Sequence, residues 1–170
     1  MKKRNVYKWI IFGVAIATNL FILVNSFIFG DASNVESSAI TSSAASVVNN
    51  IVPGAVTKGN YESFVVFIRK TIGHFALFGF SGVVSTWAIY LFARFSKFNY
   101  FIHFGCLSLL FGIALSWLTE FIQLFVPGRS GSVADVMIDF VGYFIGDLLM
   151  IFVLFLAKKP IFHKEEKQEK

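Results

Sequence analysis

The chain has 170 residues, of which 56% are hydrophobic, 18% are aromatic and only 15% are charged, and its mean hydropathy is +0.70. Soluble globular domains usually carry about 25% charged residues, and 22 phenylalanines are more than one small soluble core could bury. The net charge of +5 does not indicate nucleic-acid binding, because the basic residues lie at the ends of apolar runs. The composition therefore predicts one membrane domain over residues 1–170, with lipids and no nucleic acid as partners.

Four apolar segments are long enough for the roughly 20 residues that a membrane-spanning helix needs. They are residues 9–29, 72–92, 101–125 and 133–156. The first is longer than the apolar core of an ordinary signal peptide, so we expect a retained anchor. The last two are separated only by a short segment with Pro127 and Gly128, which predicts an antiparallel helical hairpin. The predicted fold class is an all-α membrane protein with four transmembrane helices.

The basic residues are distributed unevenly across these spans. Eleven lie in the N-terminal segment, the loop between the second and third spans, and the tail over 157–170, whereas four lie on the opposite side. Because positively charged loops stay in the cytoplasm, this distribution predicts cytoplasmic N- and C-termini.

The loop over residues 30–71 then lies outside, and we expect it to be helical. Residues 31–50 have the spacing of a weakly amphipathic helix. A second helix is predicted by the apolar stripe of Tyr61, Phe64, Val65 and Ile68, which is typical of helices at a membrane interface. The alternative is a flexible outer loop.

Ionisable side chains inside spans are costly, so each one is a candidate for function. With this topology, residues from three spans and the hairpin converge at the outer membrane face. We call these eight residues the polar cluster and predict that they bind a ligand: Arg69, Lys70, His74, Glu120, Gln123, Arg129, Asp135 and Asp139. The alternative is an internal brace of ion pairs.

The hairpin allows two interpretations. The free backbone N–H groups at the start of the fourth helix attract anions, and Arg129 suits a phosphate or carboxylate. Alternatively, Ser132 and Asp135 form an S-x-x-D helix cap, and Arg129 neutralises a nearby acid. Both interpretations remain open at this stage.

Other polar residues in the spans are expected to have structural roles. Asn19 and Asn25 are predicted to hold helices together. Asp147 is expected either to form a hydrogen bond within the bundle or to be protonated by burial. The single Cys106 excludes an internal disulfide, and its apolar surroundings predict a buried thiol. Gly142 and Gly146 would let another helix approach closely.

Two motifs resemble elements of the VanZ-like family, over about residues 60–150. The first is Arg69-Lys70-x-x-x-His74-Phe75-x-x-Phe78. The second comprises Glu120-x-x-Gln123, Pro127-Gly128-Arg129 and Asp135-x-x-x-Asp139-x-x-Gly142-x-x-x-Gly146. One position departs from the family pattern, because Asp139 stands where the family usually has Asn. An acid there shares a helix face with Asp135, so the two carboxyl groups can share a proton.

The resemblance implies a bacterial protein of the cytoplasmic membrane. The founding member of the family is associated with resistance to teicoplanin, a lipid-tailed glycopeptide antibiotic that acts on cell-wall precursors. We therefore expect an envelope protein that binds an amphiphilic or lipid-linked ligand, such as a lipid-linked wall precursor or a lipoglycopeptide. Such a protein would lower sensitivity to teicoplanin-type antibiotics.

Two other functions are considered. One is an intramembrane enzyme acting on a lipid-linked cell-wall substrate, with His74 or Glu120 as the general base. It is less favoured, because the sequence has no Ser-His-Asp spacing. The other is a small proton-coupled carrier. His74 with the nearby acids could bind a metal, but one His with carboxylates is an unspecific set. The sequence therefore predicts no metal and no cofactor, and it specifies no oligomeric state.

Overall fold

The computed structural model describes residues 2–28, 30–92, 100–129 and 131–165, and all regular structure within these ranges is helical. The elements are α1 (Lys2–Ser26), α2 (Gly30–Ile51), α3 (Tyr61–Ile68), a π-helical segment (Arg69–Ala76), α4 (Leu77–Phe92), α5 (Tyr100–Gln123) and α6 (Val133–Glu165). The all-α prediction is confirmed, and the loop over residues 30–71 contains a long helix, α2, as expected.

Four helical stretches have the length and hydropathy to cross a membrane: Val6–Ser26, Tyr61–Phe92, Phe104–Gln123 and Val133–Ala157. They match the four predicted spans, so the chain is a multi-pass membrane protein. Their ends differ in places. α1 ends at Ser26 rather than at residue 29, which lies outside the described residues. α5 ends at Gln123 rather than at residue 125, because hydrogen-bonded turns begin there. α6 continues beyond the predicted span end at 156, as far as Glu165.

The helix around the second span is longer than predicted. α3, the π-helical segment and α4 follow one another without a break, so the helix expected at the interface runs directly into the span. A π-helix closes wider i→i+5 turns; it is rare in proteins and frequently occurs at functional sites. This segment carries Lys70 and His74 of the polar cluster, and it therefore presents both from regular helical backbone.

One cluster of the hydrophobic core draws one residue from each span. Ile22, Phe78, Leu115 and Tyr143 are buried and pack together. α4 lies at the centre of the bundle and packs against α1, α5 and α6. This arrangement fixes α4, and with it the π-helical segment, against the start of α6.

Glycines bring α6 into backbone contact with α4 and with the π-helical segment, as the G-x-x-x-G spacing predicts. A Cβ atom added at Gly146 would lie 1.9 Å from the carbonyl oxygen of Gly79. One added at Gly142 would lie 2.3 Å from the carbonyl oxygen of Phe75, and one at Gly82 would lie 2.2 Å from that of Tyr143. No side chain fits at these contacts, so the glycines set the separation of the two helices.

Polar side chains link the spans inside the bundle. The Asn19 amide donates to Ser85 Oγ at 3.0 Å, and its carbonyl accepts from Ser81 Oγ at 2.7 Å, which confirms the predicted bridging role. Asn25 has no side-chain hydrogen bond among the described residues.

A second polar group lies deeper in the bundle. Thr86 Oγ1 donates to Asp147 Oδ1 at 2.5 Å and lies 2.7 Å from Ser108 Oγ, which in turn lies 3.1 Å from the Tyr143 hydroxyl. All four residues are buried. Asp147 therefore hydrogen-bonds within the bundle, as expected. The other members of this polar group, Thr86, Ser108 and Tyr143, were not predicted from the sequence.

The outer faces of the spans carry many exposed large apolar side chains, such as Leu110, Trp117 and Phe152. Lipid covers such surfaces in a membrane protein. Cys106 lies on such a face and is exposed, so the prediction of a buried thiol is wrong. An apolar neighbourhood in sequence does not distinguish the lipid-facing side of a helix from its core-facing side.

Candidate functional site

The polar cluster assembles where α5 ends, α6 begins and the π-helical segment passes beside them. We call this region, with the turn over residues 124–129 and 131–132, the hairpin end. Backbone hydrogen bonds form the turn, and Gly128 adopts φ +75°, a conformation that L side chains rarely adopt. A Cβ atom at Gly131 would lie 2.4 Å from the carbonyl oxygen of Glu120. The turn is therefore packed closely against the end of α5.

Glu120 ties the hairpin together. Its side chain is only 3% exposed, Oε2 accepts the backbone N–H of Ser132 at 2.9 Å, and Oε1 accepts the Gln123 amide at 3.0 Å. Both carboxylate oxygens thus have donors, and one of them satisfies a free N–H group beside the start of α6. The predicted clustering of Glu120 with Gln123 occurs as direct contact.

The predicted S-x-x-D cap forms only in part. Ser132 Oγ accepts the backbone N–H of Ala134 at 3.2 Å, so Ser132 caps α6. The Ser132 N–H, however, is taken by Glu120, and the Asp135 carboxylate turns to Lys70. The reciprocal bond of a capping box is therefore absent between Ser132 and Asp135, because stronger partners from other helices are available.

Lys70 and Asp135 form an ion pair with Nζ and Oδ1 2.5 Å apart. Their side chains are 33% and 14% exposed, so the pair lies at the rim of the bundle. This contact confirms that Asp135 takes part in pairing, and its partner is the cation on the π-helical segment. Lys70 keeps further N–H donors that one carboxylate oxygen does not use.

His74 and Asp139 form a second contact one turn deeper. Nδ1 of His74 lies 2.9 Å from Oδ1 of Asp139, and the side chains are 15% and 1% exposed. The other carboxylate oxygen, Asp139 Oδ2, is buried and meets no hydrogen-bond partner within the described ranges. Lys70 and His74 are four residues apart, and so are their partners Asp135 and Asp139. Each pair lies on one helix face, as predicted.

Arg129 is half-buried beside this arrangement. Its burial lowers the pKa of the guanidinium, and the neighbouring Arg69 acts in the same direction, while Glu120 and Asp135 act against it. Arginine nevertheless stays protonated in proteins. Arg69 itself is exposed. The hairpin end therefore has a rim with Arg69, Lys70 and Arg129. Beneath the rim lies an interior with half-buried His74 and buried Glu120 and Asp139.

The interior residues form the one group of three potential metal donors found among the described side chains. His74, Glu120 and Asp139 each offer one donor atom, and these atoms lie within 4.8 Å of one another. All three residues belong to the predicted polar cluster, but a metal was not predicted, because one His with carboxylates is an unspecific set of donors.

Direct contacts pair six of the eight predicted residues around the hairpin end. The other two, Arg69 and Arg129, interact with the group through their charges. The sequence did not predict the backbone N–H of Ser132 as the hydrogen-bond partner of Glu120. Backbone donors carry no residue-type signal, so only the position of Ser132 beside a predicted helix start could have indicated it.

The sequence pattern described as VanZ/LLP1 matches residues 9–156 and so covers most of the chain. Comparisons with curated proteins and with solved structures gave no match.

Proposed function

The chain belongs to the VanZ/LLP1 family, and we propose that it is a bacterial envelope protein that binds an amphiphile with an anionic head at the hairpin end. The observation that carries the proposal is the rim of three cations, Arg69, Lys70 and Arg129, around one end of a membrane bundle. Lipid-linked cell-wall precursors, polyprenyl phosphates and teicoplanin-type lipoglycopeptides have the required chemistry: a polar head that carries anionic groups and an apolar tail.

The proposal includes an orientation. The excess of basic residues in the N-terminal segment and the tail supports cytoplasmic termini, which would place the hairpin end at the outer leaflet of the cytoplasmic membrane. Single-cysteine labelling tests this in a Cys106→Ser background. Lys58→Cys should react with a membrane-impermeant maleimide on intact cells, whereas Lys164→Cys should react only after permeabilisation. The reverse pattern would overturn the orientation.

Charge supports the binding of an anionic head. Arg129 presents a planar fork that suits phosphate and carboxylate. Lys70 is one-third exposed and has donors beyond its bond to Asp135. The pairing of Lys70 with Asp135 keeps that lysine in place without a ligand, so the rim is ordered before binding.

Exposed apolar side chains next to the rim support the binding of a tail. Phe121, Leu124 and Phe125 lie at the end of α5 and in the turn, and Phe125 is 72% exposed. The rings of Phe121 and Phe125 contact each other with centroids 5.1 Å apart. A lipid tail that descends beside α5 would contact this surface while its head meets Arg129.

The test is a binding measurement with the full chain in lipid nanodiscs, using undecaprenyl phosphate and teicoplanin as separate probes. Arg129→Ala should weaken binding about 10-fold or more, because a charge-assisted hydrogen bond contributes roughly 1.5–3 kcal/mol. Lys58→Ala is the matched control, since Lys58 is an exposed cation in the turn before α3. Equal affinity of the wild type and Arg129→Ala for both probes would refute the proposal.

A cellular test addresses the antibiotic. A teicoplanin-sensitive host that expresses the wild type should become less sensitive, and the same host with Arg129→Ala at matched membrane level should not. If both proteins protected the host equally, Arg129 would not be needed for protection.

The second candidate function is an intramembrane enzyme acting on a lipid-linked cell-wall substrate. The contact of His74 with the buried Asp139 favours it, because a carboxylate that holds an imidazole orients it as a general base. Arg129 would stabilise negative charge that develops on the substrate. Membrane lipids from cells with the wild type would then contain a product that is absent with His74→Gln. Identical lipid profiles would count against catalysis.

A further inference from the structure

We propose that His74, Glu120 and Asp139 form a binding site for one divalent transition-metal ion such as Zn²⁺ or Mn²⁺. This inference goes beyond the proposed function, because it concerns the buried interior and does not depend on the cationic rim or on an amphiphile. The three residues come from the π-helical segment, α5 and α6, so the site exists only in the folded bundle.

The donor set determines the class of ion. It has one imidazole nitrogen and two carboxylate oxygens, with the three donor atoms within 4.8 Å of one another. Mg²⁺ and Ca²⁺ prefer oxygen donors alone, whereas imidazole with carboxylates suits zinc, manganese or iron. Donors around four-coordinate zinc stand about 3.3 Å apart, given bonds of about 2.0–2.1 Å. The separations must therefore shorten by at most roughly 1.5 Å, which small torsional changes shared by the three side chains allow.

A second observation, independent of the donor geometry, is that Asp139 has a buried carboxylate oxygen without a hydrogen-bond partner among the described residues. Asp139 is fully buried, its Oδ1 contacts His74, and its Oδ2 has no donor within the described part of the chain. A buried carboxylate oxygen without a partner is costly. A cation bound between Asp139 and Glu120 would satisfy it. Asp147 also has a buried oxygen without a partner, but no set of metal donors among the described residues surrounds it, which makes it a natural control.

The charge balance favours a dication in a membrane interior. Ionised Glu120 and Asp139 carry two negative charges, and neutral His74 carries none, so a divalent ion makes the group neutral. Two cations lie nearby: Lys70 is paired with Asp135, and the charge of Arg129 acts on Glu120 from the rim. Ligands must be deprotonated to bind a metal, so any proton shared by His74 and Asp139 would leave to solvent as the ion enters.

Glu120 can bind an ion without releasing the hairpin. Its oxygens accept from Ser132 and Gln123, and a carboxylate has about four lone-pair sites in total. Three protein donors leave positions open for water or another oxygen ligand, which is the pattern of zinc sites that are not purely structural.

The test measures metal binding by the full chain purified in detergent and stripped with a chelator. The protein is dialysed against Zn²⁺ or Mn²⁺, and against Mg²⁺ in a separate arm, and bound metal is quantified by mass spectrometry. Size-exclusion chromatography first confirms that each variant is monodisperse. Asp139→Asn is the decisive variant, because it is isosteric and its amide oxygen can still accept a hydrogen bond from His74. Glu120→Gln is the second variant, and Asp147→Asn is the control.

We expect the wild type to bind one ion per chain, with Zn²⁺ or Mn²⁺ preferred over Mg²⁺. Asp139→Asn and Glu120→Gln should lose affinity by about 10-fold or more, and Asp147→Asn should bind as the wild type does. A monodisperse wild type without stoichiometric metal would overturn the proposal. So would equal binding by wild type and Asp139→Asn, because the ion would then lie elsewhere. If the wild type bound the metal but neither amphiphile, the proposed function would be refuted and the metal site would stand.

Discussion

The imidazole of His74 and the carboxylate of Asp139 lie 2.9 Å apart and join the π-helical segment to α6 inside the bundle. Lys70 and Asp135 repeat this cross-helix contact one turn nearer the rim. Both contacts depend on how closely the helices that carry them approach each other, and that approach is set by glycines further along the same interface.

Replacing Gly146 tests this dependence. In Gly146→Ala, the new Cβ would overlap the backbone carbonyl of Gly79, and a backbone cannot move aside as a flexible side chain can. We expect a loss of about 1–3 kcal/mol in the free energy of unfolding, measured by denaturation in mixed micelles with circular dichroism. Gly13→Ala is the control, since no atom lies within 4 Å of its Cβ position. Equal stability of the two variants would contradict the close contact.

Removing the Glu120 carboxylate should loosen the hairpin. Glu120→Ala leaves the Ser132 N–H and the Gln123 amide without their acceptor, at a cost of about 1–3 kcal/mol. Hydrogen–deuterium exchange of peptides that cover residues 124–133 should therefore become faster. Glu62→Ala, which removes an exposed carboxylate from the first turn of α3, should leave this exchange unchanged. Unaltered exchange in Glu120→Ala would show that the hairpin does not depend on this residue.

The buried contact between Thr86 and Asp147 should show strong coupling. Thr86→Val removes the donor to Asp147 Oδ1 and should destabilise the bundle by about 1–3 kcal/mol. Adding Asp147→Leu should cost less than the sum of the single changes, because replacing both partners with apolar groups leaves no unsatisfied oxygen. The measurement is a double-mutant cycle of unfolding free energies. If the two changes in unfolding free energy simply added, there would be no energetic coupling between Thr86 and Asp147. Thr71→Val, at an exposed position, serves as the control.

Asn19 should contribute to the attachment of α1. Asn19→Ala removes hydrogen bonds to Ser81 and Ser85 on α4, and interhelical hydrogen bonds in membranes contribute up to about 1–2 kcal/mol. We expect a smaller unfolding free energy than for Leu20→Ala, which changes an exposed neighbour on the same helix. If Leu20→Ala were the more damaging change, the polar bridge would have no energetic role.

Much of the architecture follows from the sequence alone. The number of spans, the hairpin at Pro127 and Gly128, and the set of polar residues at one end are local properties, because apolar length and chain breakers act within a short stretch. The close approach of Gly142 and Gly146 was also predictable, since their spacing places both on one helix face.

The tertiary structure decided which partner each polar residue takes. Asp135 had two possible roles in the sequence, and it contacts Lys70 because the packing of α4 against α6 brings the π-helical segment alongside. Glu120 meets a backbone N–H that no side-chain pattern reveals, and Cys106 faces outward because rotation of a helix about its axis is set by its neighbours. Local sequence specifies helices through short-range energies, whereas their rotation and pairing depend on contacts between residues far apart in the chain. The distances among His74, Glu120 and Asp139 are of this second kind.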